Sequence, residues 1–559
     1  MGLENFNKQS RPILFKKLNS EVFDLVIIGG GITGASIFRD AAIRGLKVAL
    51  IEARDFSWGT SSRSSKLIHG GLRYLKRLGF HLARESCKER NLHIRLNKRL
   101  VEPIPFLLPI YKNQGEPKYM LRAGMLLYEL VSGFNNYKWH KFLSKEQTIS
   151  LAPRISTDGL TGGCFYYDAA VSDNRWTIEI IKDGVRFSGT AVNYSPVKEL
   201  IKEDDLVTGV RIRDIQGNRE YIIKAGSVVN ATGVWADSIR RMDDSALKSV
   251  IRLSRGTHLV FNEADVPVNV TTAFSSPVDR RPLFLIKREG YVLYGTSDQW
   301  CDGNPSNPLP DVDDVKYLMN SLQRFMPEAG LTEDEIQFVY SGFRPLIQKG
   351  NKNIDPANIR REDCIEVSPS GLINIMGGKL TTARRMAERI VDLVIKRTGR
   401  KRSYCKCMTH TLSIGGTTDE VDEGLSYWVE QCPELKDYFT ILFKRYGVDA
   451  HEICKNSEII YRGKDPDPRV EPIKAEVQYS CRNEMVCTVE DLLERRAGFL
   501  YWNKEKRLER LKYGAIVIGP ELGLDKNEFE RQLEEYRNYL EQYHSITAEK
   551  YNSKKGRKL

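Results

Sequence analysis

The segment DLVIIGGGITGASIFRDAAIRGLKVALIE, Asp24 to Glu52, constrains this chain more than any other stretch. An apolar run, Leu25 to Ile28, reads as a buried parallel strand. Gly29, Gly31 and Gly34 then fall on a GxGxxG frame, a helical pattern runs to about Arg44, and a second apolar run, Val48 to Ile51, ends on Glu52. Strand, glycine turn, helix, strand and acid is an order that holds a dinucleotide. One glycine makes the turn, the next lets backbone N–H groups approach a pyrophosphate, and the third lets helix and strand pack closely. The helix N-terminus adds partial positive charge for the phosphates. Glu52 is placed to accept from a ribose diol.

A chain of 559 residues exceeds one simple core, and length alone suggests about three or four domain-sized units. Hydrophobic residues make up 41% of it, enough for a large interior. No run of about 18 apolar residues occurs, so no membrane span is expected. The opening MGLENFNKQSRPILFKKLNSEVF lacks the apolar stretch of a secretory signal and reads as a short polar lead-in. The 10 cysteines are scattered, and the spacing of Cys405 and Cys407 suits neither a redox CxxC nor a zinc knuckle. Reduced thiols of a cytoplasmic protein, with no metal site, are the expectation. The net charge of +12 favours anionic partners, such as a phosphorylated substrate or acidic lipid headgroups. Nucleic acid is not expected, because zinc-finger, RNA-recognition and aromatic-basic patterns are missing.

Along the chain, the βαβ start to about residue 55 gives way to a loop and a helix-rich region from about 75 to 150. A strand-rich stretch follows from about 160 to 300, in which Val228 to Gly233 looks like a strand feeding a glycine turn. A helical pattern covers Val312 to Phe325. Gly371 to Met376 reads as a strand, Gly377-Gly378 as its turn and Leu380 to Ile395 as a helix, with Met386, Ile390, Leu393 and Val394 at helical spacing. The basic stretch from Arg397 to Lys406 looks like a linker to a charged, helix-rich remainder.

Four motifs in order carry a resemblance beyond the fingerprint: TSSRSSKLIHGGLRY at Thr60 to Tyr74, NATGVWAD at Asn230 to Asp237, YSGFRPL at Tyr340 to Leu346 and GGKLTTARRMA at Gly377 to Ala387. Together they resemble the FAD-dependent, aerobic, quinone-linked glycerol-3-phosphate dehydrogenase family, from about residue 20 to about 400. The resemblance implies an α/β flavoprotein. Its Rossmann-like FAD domain is discontinuous, built from 21–80, 155–255 and 340–400 after a lead-in over 1–20. An inserted α+β substrate or cap region takes 81–154 and 256–339, and a C-terminal helical domain takes 405–559.

It also implies site residues. Non-covalent FAD would be held by Gly29, Gly31, Gly34, Glu52, Thr60, Ser61, Ser62, Ser65, His69, Gly233, Gly378, Lys379, Leu380 and Thr381, with Val192 on the adenine side by position. The substrate, glycerol 3-phosphate, would meet Arg73, Tyr74, Arg344, Arg361 and Lys379. Arginine suits a phosphate dianion because it is permanently charged and bidentate. Arg360 adjoins Arg361, so that assignment can slip by one. Oxidising the alcohol needs a base for its proton. His258, in RGTHLVF, is favoured because histidine titrates near neutrality; Arg344 or Lys379 with a lowered pKa are the alternatives. The chain departs from the family's usual residues at Ser36, Ala383, Val234 and in the run Ser172 to Arg175, which bears on substrate preference more than on flavin binding.

Family members pass electrons to a membrane quinone from the membrane surface. Here Lys118 to Phe134 is apolar enough for an interface, and Leu75 to Arg99 is basic enough for an anionic surface on the inner face of the cell membrane; a buried domain helix is the competing reading. Oxidase relatives, which reduce oxygen to hydrogen peroxide, carry an inserted segment for which Gly256 to Tyr340 leaves no room. An amine or amino-acid oxidoreductase would need one carboxylate-binding arginine where this chain offers a cation cluster. A flavin-binding scaffold without turnover stays open. Oligomeric state is not legible, and a homodimer is compatible with the sequence.

Overall fold

The computed structural model describes residues 3–75, 79–112, 118–288, 290–306, 308–348, 362–399, 403–461, 471–497 and 517–555, with Pro356 and Ile359. Its centre is a six-stranded sheet in the order Asp363–Val367, Ile373–Gly377, Val228–Asn230, Leu25–Ile28, Val48–Ile51, Thr190–Val192. Four of these strands come from the first 230 residues and two from beyond 360, so distant segments share one hydrogen-bonded ladder. Leu25, Val26, Ile27 and Ile28 are all buried, as a run without polar alternation requires in a sheet covered on both faces. Burial of such side chains contributes about 1.5–3 kcal/mol each. The helix Ile32–Ile43 packs between Asp173–Arg186 and Ala383–Thr398.

A second, ten-stranded sheet carries the long antiparallel pair Ile251–Asn262 and Ile336–Ile347. Its register sets His258 opposite Tyr340 and Gly256 opposite Gly342. His258 also faces Gly295 on the other neighbour, Tyr291–Gly295. A smaller four-stranded sheet flanks the first.

Three elements differ from the sequence expectation. The polar lead-in contains a helix, Arg11–Ser20, that buries Leu14, Phe15 and Leu18 and pairs Arg11 with Asp214 at 2.5 Å. The region expected to be helix-rich holds an eleven-residue strand, Val101–Tyr111, despite Pro103, Pro105 and Pro109. Their shared parity puts the missing N–H donors along one edge, so the ladder to Leu160–Val171 still forms. The strand-rich stretch is interrupted by the helix Asp173–Arg186, which the run Ser172 to Arg175 opens. Asp173 pairs there with Lys66, and its Oδ2 accepts from Ser64.

Beyond 403 the chain is helical, with Thr418–Gln431, Lys436–Tyr446, Ala450–Tyr461, Glu471–Asn483, a π-helical turn at Asp491–Arg496 and the helix Lys526–Lys555. Two buried ion clusters join it to the main body. Glu484 takes Arg175 at 2.5 Å and Lys182 at 2.9 Å. Asp55, three residues past Glu52, takes Arg495 at 2.5 Å and Arg496 at 2.8 Å. Burial would raise the Asp55 carboxyl, but Arg496 and Arg495 hold it below the usual aspartate range. Val489 to Arg496 bears out a helical reading there, whereas 498–502 lies outside the described residues.

Candidate active site

The first strand ends at Ile28 and the chain turns at Gly29, whose φ of +110° suits glycine. A Cβ on Gly34 would lie 1.8 Å from the Gly29 carbonyl oxygen, so only glycine lets this helix sit against its strand. Gly31 caps the helix Ile32–Ile43, and the Ile32 N–H meets Ser61 Oγ at 2.9 Å. Glu52 ends the next strand; its carboxylate accepts from Gly30 N at 2.6 Å and from Arg54 N at 2.8 Å. Burial raises its pKa, and those N–H groups oppose the rise. Each carboxylate oxygen keeps a second lone pair for a ribose hydroxyl.

This unit opens onto one cavity of about 640 Å³. Its walls include Gly29, Gly31, Glu52, Thr60, Ser61, Ser65, His69, Tyr74, Gly233, His258, Arg344, Gly378, Lys379, Leu380 and Thr381. Gly377 and Gly378, with φ of +71° and +89°, turn the chain between the strand Ile373–Gly377 and the helix Ala383–Thr398, which starts three residues later than its apolar pattern suggests. Trp58, cradled between the guanidinium groups of Arg54 and Arg63 at 4.0 Å and 4.9 Å, forms part of the rim with Trp235.

Cations stand in the same wall. Arg344 crosses its neighbour strand over Gly256, where a Cβ would come within 2.3 Å of Nη2. Its guanidinium donates to Asp298 Oδ1 at 3.1 Å and Thr296 Oγ1 at 3.0 Å. Lys379 Nζ lies 3.7 Å from the centre of the Tyr74 ring. His258 is 2% exposed. Burial, then the charges of Arg344 and Lys66, push its pKa well below the usual histidine range, so the ring is neutral.

Several expected residues stand elsewhere. Val192 is not part of the cavity wall; its carbonyl accepts the Glu52 N–H at 2.9 Å, so it places the acid and its side chain stays in the core. Ser62 lies behind the wall, its Oγ 3.4 Å from the Gly59 carbonyl. Gly34 acts through packing alone. The Arg73 side chain, Lys76, Arg77, Arg360 and Arg361 lie outside the described residues. Arg281, Asp298 and Trp58 line the cavity without having been picked out from the sequence. No group of metal-ligating side chains occurs among the described residues.

A cavity that opens beside a strand–glycine turn–helix unit and is lined by Glu52, by the Gly378–Thr381 turn and by cations suits a flavin-dependent oxidoreductase. Residues 24–393 match the FAD dependent oxidoreductase family, to which the chain therefore belongs. Residues 407–529 match the C-terminal domain of alpha-glycerophosphate oxidase. Within this family the chain groups with the aerobic glycerol-3-phosphate dehydrogenases. It is 36% identical over 515 residues to that enzyme of Staphylococcus haemolyticus, covering 90% of this chain and 91% of the relative. It is 36% identical over 513 residues to that of Staphylococcus aureus strain USA300, with the same coverage. The glycerol-3-phosphate dehydrogenase of Bacillus halodurans, solved with FAD, superposes with a TM-score of 0.79 at 29% identity, over 96% of this chain and 98% of the other. FAD is the cofactor, and the donor set suits it: backbone N–H groups and a helix start for the pyrophosphate, Glu52 for the ribose, and the Gly378–Thr381 turn for the flavin.

Proposed function

We propose that this FAD-dependent enzyme oxidises sn-glycerol 3-phosphate to dihydroxyacetone phosphate and passes the electrons to a membrane quinone. The observation that carries the reading is that Arg344, Lys379 and His258 share the wall of one cavity with the flavin-binding elements. Bound FAD supplies a hydride acceptor at N5. Arg344, held by Asp298 and Thr296, presents a guanidinium to the phosphate, and Lys379 and Tyr74 orient the glycerol end. His258, kept neutral by its surroundings, takes the hydroxyl proton. The Gly378–Thr381 backbone at a helix start favours electron-rich flavin.

A membrane-facing position is supported by the helix Lys118–Val131. Met125, Tyr128 and Glu129 are buried on one side, while Tyr119 (73% exposed), Met120, Leu126 and Leu130 (59% each for the two leucines) face outward. Phe134, Tyr137 and Trp139 extend this exposed apolar surface. The adjoining helix Phe80–Leu96 exposes Arg84 and Lys88. Apolar and aromatic groups beside cations match an anionic bilayer surface. No helix among the described residues is long and apolar enough to cross a membrane. The ten cysteines stand as free thiols, in keeping with a position on the cytoplasmic face.

Anaerobic mixing with glycerol 3-phosphate tests the reaction. Bleaching of the flavin, with dihydroxyacetone phosphate formed and a quinone analogue restoring the colour far faster than oxygen, is expected. An unbleached flavin overturns the substrate assignment. Fast recovery in oxygen with hydrogen peroxide released overturns the quinone assignment.

A further inference from the structure

Ser65 and His258, 193 residues apart, meet at the cavity wall with Oγ and Nε2 separated by 2.9 Å. The imidazole is held on several sides. One face stacks on Tyr340, with centroids 4.8 Å apart and planes 13° from parallel. Tyr340 Oη donates to the Ser64 carbonyl at 2.8 Å, which ties the residue before Ser65 to the same strand. Gly295 leaves room for the ring edge, since a Cβ there would lie 3.1 Å from Cδ2. Nδ1 is buried and has no hydrogen-bond partner among the described residues. Of the two ring nitrogens, Nε2 therefore has the hydrogen-bonded route, and that route runs through the Ser65 hydroxyl. His258 is buried, whereas Ser65 is half-buried and lines the cavity beside it.

We propose that Ser65 is a catalytic residue that relays the substrate's hydroxyl proton to His258. This rests on the reading of His258 as the base. The carbinol C–H bond breaks as a hydride, whose electron pair the bound FAD accepts, and the C–O bond becomes C=O. The hydroxyl proton passes to Ser65 Oγ while the proton of Ser65 moves to His258 Nε2. Serine ends as it began, and histidine leaves the step as the imidazolium, to be discharged to solvent later.

The electrostatics make the relay substrate-dependent. Behind burial, Arg344 and Lys66 are the charges that lower the proton affinity of His258. Lys66 is already paired with Asp173. A phosphate dianion on Arg344 offsets the other charge, so the base strengthens when substrate is in place.

The test uses the full-length, FAD-loaded enzyme and its Ser65→Ala, Ser65→Thr, His258→Gln and Ser65→Ala/His258→Gln variants. Anaerobic flavin reduction at saturating glycerol 3-phosphate gives the rate. FAD content and the affinity for inorganic phosphate, read from the flavin absorption, report on structure. Ser65→Ala is expected to lose about 100-fold or more in rate, with FAD content and phosphate affinity within about twofold of wild type. Ser65→Thr should recover most of the rate, and the double variant should be no slower than His258→Gln, because residues of one relay are not additive. A fast Ser65→Ala with a slow His258→Gln removes the relay and keeps the base. If both are fast, the base assignment falls too. A Ser65→Ala enzyme that loses FAD together with rate, unrescued by threonine, makes Ser65 a cofactor-holding residue and overturns the relay.

Discussion

Asp298 Oδ1 stands 3.1 Å from Arg344 Nη1, so a guanidinium in the cavity wall is aimed by a carboxylate from a neighbouring strand end. Removing the guanidinium takes a bidentate, permanently charged donor from the cavity wall. Arg344→Ala should lower kcat/KM with glycerol 3-phosphate by about 2–5 kcal/mol, or tens- to thousands-fold, with FAD retained. Asp298→Asn, which keeps an acceptor for Arg344, should be milder than Asp298→Ala. Steady-state kinetics beside flavin absorbance check this, and an Arg344→Ala enzyme within about twofold of wild type would remove Arg344 from the phosphate site.

Gly34 offers a sharper structural test. A methyl group there must enter the space of the Gly29 carbonyl, 1.8 Å from the Cβ position, and backbone cannot step aside as a side chain can. Gly34→Ala should yield protein that is insoluble or lacks yellow colour. A soluble variant with a full FAD complement, read from the ratio of flavin to protein absorbance, would mean the turn relaxes more than this packing allows.

Stability should depend on Glu494. It is buried in the π-helical turn and accepts from Tyr536 Oη at 2.8 Å. Burial first, then Glu490, raise its pKa to about 7, against Arg495, Tyr536 and Arg63, which lower it. The folded state thus binds a proton more tightly than the unfolded chain. Its contribution is complete below the unfolded value of 4.5 and is lost as pH rises through about 7. Glu494→Gln keeps an acceptor for Tyr536 and cannot ionise. Its melting temperature relative to wild type should rise between these pH values and level off above them; a difference independent of pH would contradict the assignment.

The outward face of Lys118–Val131 can be tested apart from chemistry. Leu126→Ser with Leu130→Ser should weaken binding to anionic vesicles even at high salt, because the lost term is apolar. Arg84→Glu with Lys88→Glu should weaken it mainly at low salt, since charges beyond about 10 Å are screened at 0.1 M. Both pairs should spare turnover with a soluble dye and reduce turnover with membrane quinone. Equal loss with dye and quinone would make this face structural.

Residues whose role follows from their immediate neighbours in the chain were legible beforehand. Gly29, Gly31, Gly34 and Glu52 depend on one strand–turn–helix–strand unit, and Gly377 and Gly378 on one turn. Arg344 came through the resemblance and His258 through the near-neutral titration of histidine, and the register that places both strands at one cavity was invisible until Ile251–Asn262 and Ile336–Ile347 were seen paired. Asp298 and Arg281 were missed for the same reason: each reaches the cavity from a loop or strand end whose position non-local pairing decides. At Val192 position alone was legible; the strand offers backbone and side chain to different neighbours, and here the carbonyl holds the Glu52 N–H while the side chain serves the core. The strand Val101–Tyr111 was hidden by its prolines, which a sequence window counts without regard to parity.

The clamp of Arg495 and Arg496 on Asp55 has a thermodynamic meaning for the whole molecule. Asp55 belongs to the loop that begins at Glu52, where the cofactor's ribose would rest. The two arginines belong to the helical region near the other end of the chain. Whatever tightens the loop therefore tightens the distant helices, and free energy released by cofactor binding is shared between both ends through mass action. Cutting the chain at the Arg397–Lys406 linker would not liberate a smaller flavoprotein. It would leave Asp55 buried opposite two vacated positions and take from Arg496 its carboxylate partner, while Arg495 would keep Glu490 and Asp491, so cofactor capture and the integrity of the C-terminal helices are maintained, or lost, as one cooperative unit.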